Sequence, residues 1–376
     1  MSATPFSGTP SSTAQAILRS LRHRHNVLVS GPPATGKSRV LQEVRYWFLQ
    51  APNPGFDPKG PVAFPAGGAV LKDLLPSPER KDRRVFPITF HQGTKYRDFV
   101  SGAVPIAQPD KIGFRTNFGP FFQAIRHAAS ADGASLVIID EINRGPAVAV
   151  FGDTLTAIES DKRLAPDGKL TPLSWTVSVQ NEKGEPEELA IPHHLYILAA
   201  MNQADTSVEP LDVAFLRRFQ HHWLGPDEAL LRQHLGRTAA MGDLPNPPAS
   251  ADDVLEALIR AWSALNRALS LARGPEFQIG HGVAMSATRT SVAADVNKAL
   301  AFASDVWARL YAHASEVFFG DSRSLAAALR ADTEGNPYHL ETAEFAEVPV
   351  VRLSGPSSLP PEAVYPLLRS MSIPRQ

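Results

Sequence analysis

The chain has 376 residues and a formal net charge of −1, so it lacks the basic excess of proteins held on nucleic acid mainly by phosphate contacts. It has no cysteine, which excludes disulfides, thiolate zinc sites and cysteine nucleophiles. The N-terminus shows no basic segment followed by an apolar one, and no apolar run approaches the length of a bilayer span, so we expect a cytoplasmic protein that does not enter a membrane.

The first predicted elements are a helix, a strand and a second helix. Residues 1–12 are rich in Ser, Thr and Pro and predict a flexible start, followed by an amphipathic helix at 13–22. Residues 26–30 predict a buried strand, and residues 37–50 predict a helix with one apolar face. Residues 51–84 are rich in Pro and Gly and end in a charged run, which favours a solvated surface insertion over a contact with a nucleic-acid backbone.

Apolar strands then alternate with helices. The expected strands are 85–90, 136–139 and 195–200, and the expected helices are 120–129 and 148–160. This alternation predicts an α/β fold with a mainly parallel sheet covered on both faces. Strand-forming residues on both sides of a turn-forming group predict a β-hairpin at 173–191, inserted before the next strand.

The pattern becomes helical from residue 226 onward, with helices expected at 227–235, 251–271 and 292–319. We therefore predict an α/β domain at 13–225 and a smaller helical lid domain at 226–330. Residues 331–376 give weak signals and are treated as a C-terminal extension.

One segment between the first strand and the second helix fits the phosphate-binding pattern G-x-x-x-x-G-K-[ST]. Its residues are Gly31, Pro32, Pro33, Ala34, Thr35, Gly36, Lys37 and Ser38. Backbone N–H groups and a helix N-terminus would surround the phosphates, Lys37 would reach the β- and γ-phosphates, and Ser38 would ligate Mg²⁺. A chance glycine-rich turn is the alternative, which the placement between strand and helix disfavours.

A pair of carboxylates, Asp140 and Glu141, follows the apolar strand 136–139. The carboxyl ends of strands are where open α/β sheets bind their ligands. Asp140 would hold the Mg²⁺ shell, and Glu141 would orient or deprotonate the attacking water. Without a phosphate-binding loop such a pair more often caps a helix, but with one the catalytic interpretation is favoured.

Two further candidates follow the strand 195–200. Asn202 would lie at the same edge and bond the γ-phosphate or the hydrolytic water, with a polar strand cap as the alternative. Arg217 and Arg218 offer an arginine that a neighbouring subunit could supply to the transferring phosphate. A surface basic pair is an equally good interpretation of their spacing.

Taken together, these motifs resemble those of the McrB family, the AAA+ motor subunits of modification-dependent restriction systems. The resemblance extends from the phosphate-binding loop almost to the end of the helical part. Its further motifs are Phe90-His91-Gln92 with Tyr96, Asp98, Phe99 and Gly102; Asp140-Glu141-Ile142-Asn143-Arg144; Phe151-Gly152; Asp161-Lys162-Arg163; Met201-Asn202-Gln203-Ala204-Asp205; Leu216-Arg217-Arg218-Phe219; Phe277-Gln278-Ile279-Gly280-His281; and Phe318-Phe319-Gly320-Asp321.

The resemblance implies a nucleoside triphosphatase that works as a hexameric ring with Mg²⁺. Asp140 and Glu141 would act within their own subunit, Asn202 would serve as sensor, and Arg217 or Arg218 would reach the neighbour's site. Such rings usually work with an McrC-like partner that carries a nuclease, so DNA would be engaged through the partner or the pore. The segment from Tyr96 to Gly102 would face that pore.

Two features depart from the family pattern. The first strand already begins at Asn26, so we expect target recognition to belong to a partner or to another component. Gln203 stands where the family's sensor stretch commonly has Thr, which weakens any inference of GTP preference, and ATP is at least as good a candidate. His91 and Gln92 could be sheet residues or part of a functional loop, whereas a structural role is favoured for His281.

Two other functions remain open at this level. The first is a MoxR-like AAA+ chaperone that remodels a protein partner, because the motif from Asp140 to Arg144 is shared with that group. The second is a nucleotide-gated scaffold that binds without hydrolysis, which the full set of Lys37, Ser38, Asp140 and Glu141 disfavours.

Overall fold

A computed structural model describes residues 6, 9–50, 73–108, 111–204, 211–237, 242–286, 289–293 and 295–372. The chain divides into two compact units. The first comprises Met1–Ser30 and Lys37–Trp223, and the second comprises Gly31–Gly36 and Leu224–Gln376. The contacts of the phosphate-binding loop therefore group it with the second unit, although the strand and helix on either side belong to the first.

A five-stranded sheet forms the centre of the first unit. Its strands are β1 (Asn26–Gly31), β2 (Asp82–Thr89), β5 (Gly133–Asp140), β8 (Leu195–Asn202) and β9 (Gln220–Trp223), in the order β2–β5–β8–β1–β9. The pairs β2–β5, β5–β8 and β1–β9 are parallel. Strands β1, β5 and β8 are buried along almost their whole length, as expected for parallel strands covered on both faces. The acidic pair and Asn202 thus follow neighbouring strands at one edge.

Helices and an aromatic cluster cover this sheet. The helices are α1 (Ser12–Arg24), α2 (Lys37–Leu49), α3 (Tyr96–Phe99), α4 (Pro120–Ala128), α5 (Ala147–Phe151), α6 (Thr154–Ala157) and α7 (Val213–Leu216). Phe99 is central to the cluster, with its ring centroid 4.9 Å from that of Phe121 and 4.9 Å from that of Phe151. Phe151 in turn contacts Phe215 of α7 at 5.5 Å. This packing fixes the short helices that follow β5 and β8.

The expected helix at 148–160 is wrong. The chain instead forms α5, α6 and a 3-10 turn at Ser160–Lys162. Gly152 lies between the two helices with φ 50° and ψ −134°, a conformation that no helix contains. A Cβ at this position would lie 2.8 Å from Cδ2 of Tyr96, so the Phe151-Gly152 motif marks a break that packs against that ring.

Two β-hairpins accompany the sheet. The hairpin expected within 173–191 is confirmed as β6 (Thr176–Gln180) and β7 (Pro186–Ala190). A second hairpin, β3 (Ser101–Gln108) with β4 (Lys111–Phe118), was not expected, and its Thr116 hydroxyl donates to the carbonyl of Asn181 at 2.8 Å. The segment assigned to a pore therefore consists of α3 and the start of β3.

The surface insertion expected at 51–84 needs correction at its C-terminal end, and residues 51–72 lie outside the described part of the chain. Leu74 and Leu75 are buried, and β2 begins at Asp82 rather than 85. Arg83 is only 8% exposed and donates to the carbonyls of Phe48, Ser77 and Pro76 at 2.6, 2.7 and 2.8 Å. Burial lowers the pKa of Arg83 to about 10, so this charge is a structural group and not part of a solvated run.

The start of the chain is partly defined. Most of the residues at 1–8, on which the expected flexible start mainly falls, lie outside the described ranges. Ser11 caps α1 by accepting from the Ala14 N–H at 3.2 Å, and its own N–H donates to Glu43 of α2 at 2.7 Å.

The second unit is mainly helical. Its helices are α8 (Glu228–His234), α9 (Ala251–Ala272), α10 (Arg289–Val292), α11 (Val296–Val317), α12 (Ser322–Leu329) and α13 (Pro361–Ser372). Ser250 and Asp253 form a capping box at the start of α9. Within the described part of the chain, every helix is too short or too polar to cross a bilayer.

Residues 331–376, which the sequence set apart as an extension, lie within the second unit. They form the hairpin of β10 (His339–Phe345) and β11 (Val348–Ser354), followed by α13. Tyr338, Tyr365 and Leu368 are almost completely buried in the same hydrophobic core as α9 and α11. The segment completes that core, so its boundary at residue 331 is not a structural one.

Candidate functional site

The phosphate-binding loop has the turns that its sequence predicts. It begins where β1 ends at Gly31 and finishes where α2 starts at Lys37. Gly36 has φ 86° and Ala34 has φ 60°, which is a strained conformation for a residue with a Cβ. The Thr35 hydroxyl donates to the carbonyl of Pro32 at 2.9 Å and closes the turn. Since Pro32 and Pro33 have no N–H, Ala34 is the first residue after Gly31 to offer a donor.

Lys37 lies beside both predicted carboxylates. Burial lowers the pKa of Lys37 to about 8, and the charges of Glu141 and Asp140 act in the opposite direction. Such electrostatic coupling requires the ammonium to be close to both carboxylates. The start of α2 and the tip of β5 therefore bring together the three charged groups that the sequence assigned to one site.

Glu141 adopts a left-handed conformation at the tip of β5, with φ 55° and ψ 45°. Its N–H donates to Oδ1 of Asp140 at 3.1 Å, and its Oε2 accepts from Nε of Arg144 at 3.1 Å. Left-handed non-glycine residues cluster at functional sites, where the surrounding structure maintains the strain. Arg144 was not among the predicted site residues, although its spacing of three from Glu141 could have indicated this contact.

Asn143 connects the tips of β5 and β8. Its Nδ2 donates to the carbonyl of Asn202 at 2.9 Å. The Oδ1 atoms of Asn143 and Asn202 are both buried without a hydrogen-bond partner in the described part of the chain. Buried polar atoms are nearly always paired, so two such atoms beside an acidic strand end fit a site that receives a polar ligand.

The donor set fits a Mg²⁺ ion that arrives with a phosphate ligand. Within the described ranges, no group of three or more His, Asp or Glu side chains is placed to hold a metal. Mg²⁺ usually takes one or two carboxylates and completes its octahedral shell with water and substrate phosphates. Asp140 and the exposed Ser38, one residue after Lys37, would provide that partial protein shell.

The two candidate arginines have different surroundings. Nε of Arg218 donates to the carbonyl of Leu155 at 2.8 Å and lies 3.1 Å from Oε1 of Glu159, and the side chain is only 10% exposed. Arg217 is exposed. Of the two, Arg217 is therefore the one that can reach a neighbouring molecule, and Arg218 holds α7 against the segment after α5.

The two histidines of the sequence motifs, His91 and His281, also have different surroundings. His91 lies in an exposed turn after β2, where its Nδ1 accepts from the Gly93 N–H at 3.1 Å. His281 is buried, and its Nδ1 accepts from the Asp227 N–H at 3.2 Å. Burial lowers the pKa of His281, in keeping with a neutral structural histidine.

Comparison with known proteins agrees with this geometry. Residues 72–219, which include the acidic pair, Asn202 and both arginines, match the family described as AAA domain (dynein-related subfamily). Over 278 residues the chain is 28% identical to the Type IV methyl-directed restriction enzyme EcoKMcrB subunit of Escherichia coli (strain K12), covering 72% of this chain and 50% of that protein. The chain is therefore similar to an McrB subunit, and residues 72–219 match an AAA domain.

A second restriction component is also similar to this chain. The Type II restriction enzyme BsuMI component YdiS of Bacillus subtilis (strain 168) is 29% identical over 222 residues, covering 56% of this chain and 59% of that protein. The chain thus spans 50% and 59% of the length of these two relatives.

The similarity to solved structures is lower. PCH-2 of C. elegans is 15% identical, with 79% of this chain and 67% of that chain covered and a TM-score of 0.33. NtrX from Brucella abortus is 10% identical, with 84% and 62% covered and the same TM-score of 0.33. The α/β AAA+ fold rests on the family match and on the parallel sheet.

Proposed function

We propose that this chain is a ring-forming motor subunit that binds ATP or GTP with Mg²⁺ and hydrolyses it to drive a restriction or antiphage complex. The observation that carries the proposal is the placement of Lys37, at the end of the phosphate-binding loop, close enough to Asp140 and Glu141 at the tip of β5 for their charges to act on its ammonium. Phosphoryl transfer depends on positioning and on charge stabilisation, and these three groups provide both.

Each side chain has a separate task in this proposal. The loop amides and Lys37 bind the β- and γ-phosphates, while Ser38 and Asp140 hold the Mg²⁺, which would neutralise charge on those phosphates when bound. Glu141 orients the attacking water and takes up its proton. The amide of Asn202 accepts a hydrogen bond from the water through its buried Oδ1 or donates one to the γ-phosphate through Nδ2.

Hydrolysis at subunit interfaces is the second part of the proposal. Arg217 is exposed, so a neighbouring copy in a hexameric ring can place it against the transferring phosphate. The partner is an McrC-like or nuclease protein, because two relatives of this chain are named as restriction components. Those names favour a restriction role over the chaperone alternative.

The test is to purify the chain with and without the proteins encoded beside it and to measure Mg²⁺-dependent release of phosphate from ATP and from GTP, with and without DNA. We expect turnover of at least one nucleotide, stimulated by a nuclease-type partner and abolished in Lys37→Ala. Nucleotide binding without turnover under all these conditions would support the non-hydrolysing scaffold instead.

A further inference from the structure

A short segment of the second unit is hydrogen-bonded directly to the phosphate-binding loop. Residues 278–282, here called the clasp, lie between α9 and α10 and include the first two residues of the 3-10 turn at His281–Ala284. The Gly280 N–H donates to the carbonyl of Pro33 at 2.8 Å, and the Gly282 N–H donates to the carbonyl of Ala34 at 2.8 Å. Two consecutive carbonyls of the loop are thus bonded to the clasp.

This pairing determines which way the loop amides face. In a trans peptide the C=O and the N–H point in opposite directions. Because the carbonyls of Pro33 and Ala34 point to the clasp, the N–H groups of Ala34 and Thr35 point away from it. They are the first donors after the two prolines, and successive N–H groups facing one way form the concave anion site of a phosphate-binding loop.

The clasp also requires glycine at both bonded positions. A Cβ on Gly280 would lie 2.1 Å from the carbonyl oxygen of Ala34 and 2.4 Å from the N of Thr35. A Cβ on Gly282 would lie 2.7 Å from the same oxygen of Ala34. Gly282 is exposed, so its lack of a side chain is explained by the loop and not by the core of the unit.

Helix α9 holds the clasp at Ile279 through Asn266 and Trp262. Asn266 accepts from the Ile279 N–H at 2.7 Å and donates to the Ile279 carbonyl at 2.9 Å. Nε1 of Trp262 donates to the same carbonyl at 3.0 Å. Both polar groups of Ile279 are therefore fixed, and Gly280 follows directly in the chain. Asn266 is buried, as a group dedicated to this contact should be.

We propose that the clasp holds the phosphate-binding loop in its nucleotide-receptive conformation and that Asn266 is a positioning residue acting through Ile279 and Gly280. The strained φ of 60° at Ala34 is maintained because its carbonyl is bonded to Gly282. The helical unit thereby controls nucleotide affinity through backbone hydrogen bonds. This inference rests on the proposed nucleotide site.

A graded series of glycine substitutions tests the proposal. Gly282→Ala and Gly280→Ala place a methyl group against the loop, whereas Gly242→Ala is a matched control in the same unit, because nothing lies within 4 Å of its Cβ position. For each variant the Kd of fluorescent ATP and GTP analogues with Mg²⁺, the KM and kcat of turnover, and the melting temperature without nucleotide are measured.

Gly282→Ala is expected to weaken binding by about fivefold to tenfold, the factor that corresponds to one lost hydrogen bond. Gly280→Ala should weaken it further, and Gly242→Ala should leave it within about twofold of the parent. The loss should be in KM with kcat nearly unchanged, since the interaction serves binding equally in ground and transition states. The melting temperature without nucleotide checks that each variant is folded.

Asn266→Ala tests the same link from the helix side and replaces Gly282→Ala should that variant not fold. Both changes act through the clasp, so their effects on nucleotide affinity should not add. The double variant Gly282→Ala/Asn266→Ala should bind nucleotide only slightly more weakly than whichever single variant has the lower affinity. If the parent binds nucleotide and both Gly282→Ala and Asn266→Ala bind it as tightly as the parent, the clasp proposal is overturned but the proposed function is not. A folded parent that binds no nucleotide would overturn the proposed function and the clasp with it.

Discussion

Arg217 and Arg218 show how two adjacent, identical side chains acquire different roles from their surroundings. Sequence alone left the choice between them open, because both follow the same short helix. The contacts of Arg218 with Leu155 and Glu159 are tertiary, so no spacing rule could reveal them. In the folded chain Arg217 is exposed, whereas Arg218 is bonded to other parts of the same chain.

Arg217→Ala should lower turnover by about a thousandfold or more, as for other arginine fingers, with unchanged thermal stability. Mixing it with Lys37→Ala subunits should restore activity, because some interfaces then combine an intact Lys37 with an intact Arg217. Arg218→Ala should instead lower the free energy of unfolding by roughly 1.5–3 kcal/mol. Phosphate release and urea unfolding measure the two effects, and a failure of mixed rings to recover would remove Arg217 from the neighbour's site.

The pKa of Lys37 gives a second prediction at this scale. The pKa of Lys37 is about 8 in the folded chain and 10.5 ordinarily, so between these pH values the unfolded chain binds more protons than the folded chain. The contribution of Lys37 to the free energy of unfolding is therefore fully present above pH 10.5 and is lost as the pH falls through 8. Bound phosphates favour the charged ammonium and raise its pKa, so nucleotide binding near pH 8 should take up protons.

Calorimetry of nucleotide binding at pH 8 in buffers of different ionisation enthalpy measures this uptake. Lys37→Arg is the control, because its guanidinium stays protonated and should take up none. Equal heats for the parent in all buffers would show that Lys37 does not contact the phosphates.

The apolar strands that end in motif residues were predictable from the sequence. Strands without an apolar run, which form only because they pair with another strand, were not. β5 and β8 are buried apolar runs, and their polar ends mark the site. β9, with the sequence Gln220-His221-His222-Trp223, has no apolar run and is a strand because it pairs with β1. The turn between β10 and β11 has Ala346 and Glu347 at positive φ, so the Asn-Gly signal of a tight hairpin is absent.

The break between α5 and α6 depends on tertiary packing in the same way. A lone glycine in a helical pattern does not predict a stop, but the ring of Tyr96 occupies the space where a side chain at Gly152 would lie. Gly152→Ala should therefore lower the free energy of unfolding by roughly 1–3 kcal/mol, through backbone strain and steric overlap.

Gly168→Ala is the matched control for this change. Gly168 also has positive φ, at 82°, but nothing lies within 4 Å of its Cβ position, so it should show only the smaller backbone effect. Urea unfolding of both variants measures the difference. Equal losses of stability would show that the Tyr96 contact is not what ends α5.

At the scale of the whole molecule, the sequence predicted the α/β AAA+ fold and the grouping of Lys37 with the acidic pair. It did not show that the phosphate-binding loop makes its contacts with the helical unit or that residues 331–376 complete that unit's core. Both depend on contacts between distant parts of the chain. The chain spans 50% and 59% of the length of two relatives that are named as restriction components.

The coupling of Lys37 and Glu141 in one hydrolytic site is the claim on which this account depends. Its most direct test compares the parent with Glu141→Gln in two assays, equilibrium binding of fluorescent ATP and GTP analogues and steady-state phosphate release. We predict that Glu141→Gln binds nucleotide nearly as tightly as the parent but turns it over about 100-fold more slowly or worse, because the water loses its base. Hydrolysis by Glu141→Gln at the parental rate would contradict the account.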